Sequence, residues 1–324
     1  YKIIHVGGTN GKGSVCRFLG SILSKSSYKT GVYTSPHLER FSERITIDNK
    51  EISKEELTSI YKKIKPVVDD MIKKDNFPTY FEIVTSIAFL YFKIKKVDIA
   101  VIEVGLGGRF DATNIVKPVL SVISNVSMDH QDRLGKTIEK IAFEKAGIIK
   151  ENIPVVTSAR NKALKVIKKV SKEKNSKIFE INKSNWKRIS FDNKSQEFKI
   201  DFLDKSYNLK TKIQGYFQGE NIAISAASAV ILQKKGFKID EKSIEKGIFS
   251  AINPGRMEVI KTKPIILLDG AHNVQAIKKL RNSLENDFKF DRLILVIGIL
   301  EDKNYIKMLE EIVPICDLIV TTKS

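Results

Sequence analysis

Ile3-Ile4-His5-Val6-Gly7-Gly8-Thr9-Asn10-Gly11-Lys12-Gly13-Ser14 carries an apolar strand into a glycine-rich turn, and Val15, Phe18, Leu19, Ile22 and Leu23 then recur at helical spacing. Strand, turn and helix in that order are the context a phosphate-binding loop needs. Consecutive backbone N–H groups can point at phosphate oxygens, and the helix N-terminus adds a favourable dipole. Lys12 would neutralise the outer phosphates, and the Ser14 hydroxyl suits a phosphate or Mg²⁺. The pattern departs from a regular G-x-x-x-x-G-K-[ST], because the first glycine would fall on Val6 and Gly13 separates Lys12 from Ser14. It therefore reads as a variant nucleotide-binding turn.

The 324 residues are enough for about two domains, and 42% hydrophobic content supplies their cores. No apolar run is long enough to span a membrane, and the first residues form a strand instead of a charged-then-apolar leader. The reading is a cytoplasmic protein with no membrane partner. Cys16 and Cys316 have no spacing for a disulfide framework or a metal site and read as ordinary buried thiols. A net charge of +18 would suit nucleic acid, but the lysines are spread thinly. Lys168-Lys169, Lys172-Glu173-Lys174 and Lys234-Lys235 lie on polar helix faces without interleaved aromatics for base stacking. The charge thus reads as a solvated surface whose field favours polyanionic small molecules, with no nucleic-acid partner.

Strand-like runs at 2–6, 98–104, 119–125 and 154–157 alternate with helical patterns at 54–71, 81–94 and 137–146. That rhythm predicts a P-loop-type α/β domain with a largely parallel sheet. From 177 to 213 the pattern changes to short alternating strands, such as Glu197-Phe198-Lys199-Ile200-Asp201-Phe202, which predicts an antiparallel meander added to the first domain. Helices follow at 220–235 and 241–250. Asn253-Pro254-Gly255 is the boundary signal, dividing the chain into 1–254 and 255–324. Beyond it, strands at 264–269, 292–297 and 318–321 alternate with helices at 274–286 and 305–313. This predicts a second, smaller Rossmann-like α/β domain with a small sheet and a thin core. The phosphate-binding strand at residue 1 and that small sheet suggest a fragment of a longer chain.

Glu103 ends the strand Ile99-Ala100-Val101-Ile102, where an open α/β sheet places ligand-facing acids, and is a Mg²⁺ ligand candidate. His130, in Ser127-Met128-Asp129-His130-Gln131, should share that sheet edge. By its chemistry it reads as a base or supporting group, because Mg²⁺ prefers oxygen. His5 lies inside the first strand and reads as a satisfied core residue. Lys145 comes near a helix end, where lysine complements the dipole. Asp269 reads as a strand-end cap, and Arg256 as a surface residue.

Together these segments resemble a known family. Gly8-Thr9-Asn10-Gly11-Lys12-Gly13-Ser14, Tyr33-Thr34-Ser35-Pro36-His37-Leu38, Glu103-Val104-Gly105-Leu106-Gly107-Gly108-Arg109, Asp111-Ala112-Thr113-Asn114, Asp129-His130, Lys145-Ala146-Gly147-Ile148 and Asp269-Gly270-Ala271-His272-Asn273 follow the order of folylpolyglutamate synthases, a branch of the Mur ligase superfamily. The resemblance spans almost the whole chain. It implies an ATP-dependent ligase adding L-glutamate to a folate carboxylate through an acyl phosphate. It also implies that Asn10, Gly11, Lys12, Gly13, Ser14, Asn221, Arg256, Asp269 and His272 bind ATP between the two domains. Ser35, Glu103 and His130 match the magnesium ligands, and Lys145 matches a lysine that the family carbamylates, so Lys12, Lys145 and His130 are the catalytic candidates. Thr79-Tyr80-Phe81-Glu82 and Phe110-Asp111-Ala112 resemble the segments that contact dihydropteroate in bifunctional members, although Phe110 stands where Leu is also found. The expectation is a bifunctional monomer working on 7,8-dihydropteroate and on reduced folates. The alternatives are a monofunctional folylpolyglutamate synthase, another amide ligase of the superfamily and, more remotely, a basic nucleic-acid-binding NTPase.

Overall fold

The computed structural model describes residues 1–192, 194–301 and 303–323. An eight-stranded sheet runs in the order Lys50–Glu51, Ile45–Ile47, Thr30–Tyr33, Ile99–Glu103, Lys2–Gly7, Leu120–Ile123, Val155–Thr157, Ile178–Glu180. Every pairing from Thr30–Tyr33 to Ile178–Glu180 is parallel, and the other two strands add an antiparallel edge. The first strand, β1 (Lys2–Gly7), lies inside the sheet. Ile4, Val6, Val101 and Val122 are fully buried, as expected of strands covered on both faces. The turn after β1 leads into helix α1 (Lys12–Lys25) at the carboxyl edge of the sheet. Glu103 and the segment after Ile123 end on that same edge, so parallel topology alone gathers them there.

Two features of the larger unit depart from the sequence reading. Thr30–Tyr33, Ile45–Ile47 and Lys50–Glu51 were not anticipated, since runs of two to four residues carry too little periodicity. The 177–213 stretch also divides. Ile178–Glu180 joins the large sheet as its parallel edge, whereas Trp186–Phe191, Gln196–Phe202 and Lys205–Thr211 form a separate antiparallel sheet.

Helix Gln218–Lys234 fills the space between these sheets, and every residue from Gln218 to Leu232 is buried. Small side chains make this possible, because a helix covered all round must let both sheets approach. A Cβ added to Gly219 would lie 2.3 Å from Trp186 Cε3. A single core then joins Ile4 and Val122 through Ile222 and Ala226 to Phe198 and Leu209.

After Asn253, the smaller unit has the expected alternation of strands and helices but two separate two-stranded sheets. Glu258–Thr262 pairs antiparallel with Ile265–Leu268, and Ile294–Ile297 pairs parallel with Leu318–Thr321. The polar first member was not anticipated. The core is thin, built around Met257, Ile277, Leu280, Met308 and Ile312. Cys316 is only half buried, contrary to the sequence reading, whereas Cys16 is fully enclosed. The unit docks on the three-stranded sheet through Arg188, whose Nη2 donates to Asp287 Oδ1 at 2.5 Å. Phe191 and Phe288 meet edge to face beside it. Among the described residues no helix is long and apolar enough to cross a membrane.

Candidate functional site

Backbone conformation shapes the turn after β1. Gly8 and Gly11 adopt φ of 137° and 87°, values that other L-residues adopt only with strain. A Cβ on Gly11 would lie 2.3 Å from Asn221 Oδ1, so the buried helix presses its asparagine against the turn. The Asn10 N–H donates to Asn125 Oδ1 at 2.9 Å, and the Asn10 carbonyl accepts from Ser124 Oγ at 2.7 Å. Lys12 folds back to place Nζ 3.3 Å from the Thr9 carbonyl, and Ser14 Oγ accepts from Asn253 Nδ2 at 2.8 Å. Gly11→Ala is expected to destabilise the protein by about 1–3 kcal/mol through strain and crowding, and to weaken nucleotide binding at least about tenfold. Urea denaturation and nucleotide titration measure the two effects; unchanged affinity would show that the turn does not need this backbone.

Across the turn lies Glu103, buried at the end of its strand. Its Oε2 accepts from the Ser35 N–H at 3.0 Å, and a Cβ on Gly13 would lie 3.7 Å from the same oxygen. Burial pushes its pKa up, opposed first by the charge of Lys12. No ion pair engages this carboxylate among the described residues. A buried acid aimed at a phosphate-binding turn fits a divalent cation, and the Glu103 carboxylate and Ser35 hydroxyl supply the oxygen chemistry Mg²⁺ prefers. His130 lines the same cavity. Burial lowers its pKa, so the ring is neutral at pH 7 and offers a lone pair. No compact group of three His, Cys, Asp or Glu side chains occurs among the described residues. A cation here would therefore complete its shell with hydroxyl, water or phosphate oxygens.

Lys145 does not point along its helix end into water, as its sequence position suggested. Helix Ile138–Ala146 packs it behind the turn, where it is 4% exposed and its Nζ donates to the Gly8 carbonyl at 2.9 Å. Burial, and then the charge of Lys12, bring its pKa down to about 7. Much of this amine is therefore neutral and nucleophilic at physiological pH.

The smaller unit closes over the turn. Asn273 Nδ2 donates to Asn10 Oδ1 at 2.9 Å, bridging the two units. Asp269 accepts from the Met257 N–H at 3.0 Å and the Ala271 N–H at 2.9 Å, while Arg256 Nη1 donates to the Gly270 carbonyl at 3.1 Å. Burial raises the pKa of Asp269 and lowers that of His272.

A cavity of about 760 Å³ gathers these groups. Asn10, Gly11, Lys12, Gly13, Ser14, Ser35, Glu103, His130, Asn221, Arg256, Asp269 and His272 line it, together with Thr79, Phe81, Glu82, Phe110, Asp111 and Ala112. Tyr80 is outside that wall, 60% exposed, with the Arg44 guanidinium 5.9 Å from its ring centre. Lys145 lies behind it. Thr79 and Glu82 also cap the helix Tyr80–Ile94 reciprocally, which accounts for their spacing on local grounds. Phe110 is 83% exposed beneath the Arg109 guanidinium, and the Phe81 ring packs against Gly105. Arg44, which sequence reasoning missed, also lines the cavity and donates from Nε to His37 Nδ1 at 2.7 Å. A lone arginine in a turn carries no sequence signal; only the fold brings it here.

The Mur ligase middle domain matches residues 6–229, and the Mur ligase, glutamate ligase domain matches 255–324. The chain is 38% identical over 320 residues to the dihydrofolate synthase/folylpolyglutamate synthase of Bacillus subtilis, spanning 96% of this chain and 74% of that protein. The folylpolyglutamate synthase of Thermotoga maritima superposes with a TM-score of 0.88 at 40% identity, covering 100% of this chain and 75% of the other. A solved FPGS–AMPPCP–folate complex gives a TM-score of 0.92 at 30% identity, covering 99% of this chain and 87% of the other.

Proposed function

This chain belongs to the Mur ligase family of ATP-dependent amide-forming ligases, in its folylpolyglutamate synthase branch, and from that premise we propose that it joins L-glutamate to a folate carboxylate and also to 7,8-dihydropteroate. The observation that carries this reading is the single cavity running from the Gly11–Ser14 turn, past Glu103, to the aromatic wall of Phe81 and Phe110. Its lining brings together the nucleotide-binding turn, a buried acid and two aromatic rings, all on one chain, consistent with a monomer.

The chemistry follows from the poor electrophilicity of a free carboxylate. A carboxylate oxygen of the pterin substrate attacks the γ-phosphorus of ATP, the bond to the ADP oxygen breaks, and an acyl phosphate forms. The neutral amine of glutamate then attacks the acyl carbon and loses its proton, and inorganic phosphate leaves. Lys12 and the turn N–H groups offset negative charge on the phosphates, the contribution a protein most readily makes to phosphoryl transfer. Mg²⁺ held by Glu103, Ser35 and His130 would supply further charge neutralisation at the transferred phosphoryl group. Asn221, Arg256, Asp269 and His272 orient the nucleotide from the far wall. Arg44, with no carboxylate paired to it among the described residues, suits a carboxylate of the incoming amino acid. Lys145 is proposed to carry a carbamate: its neutral amine bonds to the carbon of CO₂ and releases a proton, leaving an anionic oxygen group behind the turn in place of the uncharged amine.

ADP release with ATP, Mg²⁺ and glutamate, offering 7,8-dihydropteroate or tetrahydrofolate separately, tests the proposal. Activity with both is expected. Activity with tetrahydrofolate alone would leave a monofunctional synthase. Stimulation by neither would transfer the site to another carboxylate substrate, and stimulation by DNA or RNA to a nucleic-acid-dependent NTPase.

A further inference from the structure

His5 is fully enclosed in β1, a position where a branched apolar side chain would be ordinary. Its surroundings give it a defined task. Asp111, in the cavity wall, accepts at Oδ2 from the Leu106 N–H at 2.8 Å. At Oδ1 it accepts from the Thr113 N–H at 3.0 Å and from the Thr113 hydroxyl at 2.5 Å. That hydroxyl has one proton, and the carboxylate takes it. Only lone pairs then remain for His5 Nε2, which lies 2.8 Å from Thr113 Oγ1. The imidazole must therefore be the donor, with its proton on Nε2. Nδ1 has no partner among the described residues. Burial, and then the charge of Lys150, bring the pKa of His5 down to about 3, so the ring remains a neutral donor throughout the working range of pH.

The short turn Ala112–Ile115 has other tethers. Lys150 Nζ donates to the Asn114 carbonyl at 2.9 Å, and Asn114 Nδ2 donates to the Arg109 and Gly147 carbonyls at 2.9 and 3.1 Å. These hold the backbone of the turn, whereas the line from His5 reaches the carboxylate through the Thr113 hydroxyl, beside the Leu106 and Thr113 N–H groups. We propose that His5 is a positioning residue for the acceptor substrate: through the Thr113 hydroxyl it orients Asp111, and so fixes the loop from Gly105 to Asp111 against which the pterin lies. The strand that presents the phosphate-binding turn at its end thus also sets the opposite half of the cavity. The identity of the substrate rests on the folate reading above; the relay does not.

Thr113→Val removes the hydroxyl without opening the core strand, and Thr113→Ser keeps it. Loss of one buried hydrogen bond is expected to raise KM for the pterin about tenfold in Thr113→Val while KM for ATP stays within about twofold, and Thr113→Ser is expected to restore it. Amide exchange at Leu106 should accelerate about tenfold in Thr113→Val and in His5→Leu, with Gly11–Ser14 amides unchanged. Nitrogen chemical shifts should show the Nε2–H tautomer in the parent protein. An Nδ1–H tautomer, unchanged Leu106 exchange, or equal rises in both KM values would overturn the proposal. If no pterin stimulates turnover, the folate reading fails by itself, and the tautomer and Leu106 exchange still decide the relay.

Discussion

Lys12→Ala is expected to lower ligase turnover at least about 10³-fold with little change in stability. The two effects separate because of where the side chain sits. Lys12 is the first residue of α1, where alanine is a good helix former, and the apolar contacts of that helix come from Val15, Phe18, Leu19, Ile22 and Leu23 instead. Among the described residues its one hydrogen bond is the 3.3 Å contact to the Thr9 carbonyl, a group close to the cavity. What disappears is the cation at the mouth of the turn. Among the charges that hold down the pKa of Glu103, Lys12 is the first, so its loss also lets burial push that carboxylate further up. A group with a raised pKa is ionised only at higher pH, and residual activity should therefore shift its acid limb upwards. Lys12→Arg keeps the charge in a planar, bulkier fork and should recover nucleotide binding more than turnover. Steady-state ADP release beside thermal unfolding checks both halves. Ligation near the parent rate in Lys12→Ala would remove the phosphate cradle from the mechanism.

Much of this site could be read along the chain, and the reason is topological. A parallel sheet delivers the ends of its strands to one edge, so Glu103, His130 and the glycine turn could be placed together once the strands were recognised. Asn221, Arg256 and Asp269 had no such rule and were reached only through the family resemblance. The contact that brings Asn221 to Gly11 joins elements about two hundred residues apart, and nothing local encodes it. Lys145 was misjudged on local grounds because its helix-end position is common, whereas its burial comes from packing against the turn. His5 reads from sequence as a satisfied core residue; among the described residues the structure gives it one hydrogen-bond partner and a direction for its proton. In the fold, long runs of branched residues announced their strands. The three-residue strand Ile178–Glu180 carried no period and was absorbed into the meander that follows it.

Lys145→Met is expected to produce a protein inactive as a ligase and yet more stable than its parent near pH 6. The amine titrates at 10.5 in an unfolded chain and about 7 in the folded one, because burial and Lys12 both disfavour its charge. Below about pH 7 both states carry the proton and the cost of the buried charge is felt in full. Between about 7 and 10.5 the unfolded chain keeps a proton that the folded one has released, so stability rises with pH. Above that range both are neutral and the term vanishes. At 1.36 kcal/mol per pKa unit a gap of this size corresponds to about 5 kcal/mol. Methionine removes that cost but leaves the Gly8 carbonyl without its donor, which costs about 1–3 kcal/mol. A net gain of about 2–4 kcal/mol is expected at pH 6 in CO₂-free buffer, shrinking towards pH 10. Urea denaturation at both values measures it. The ligase loss, at least about 10²-fold, has a different origin: methionine cannot form the carbamate. With ¹³C-bicarbonate the parent should show a carbamate carbon whose intensity grows as the pH rises through 7 at fixed dissolved CO₂, and the variant should show none. Parent-like ligation by Lys145→Met would leave the lysine a purely structural role. A failure of stability to rise at pH 6 would mean that the amine reaches solvent, and the neutral nucleophile needed for carbamylation would lose its physical basis.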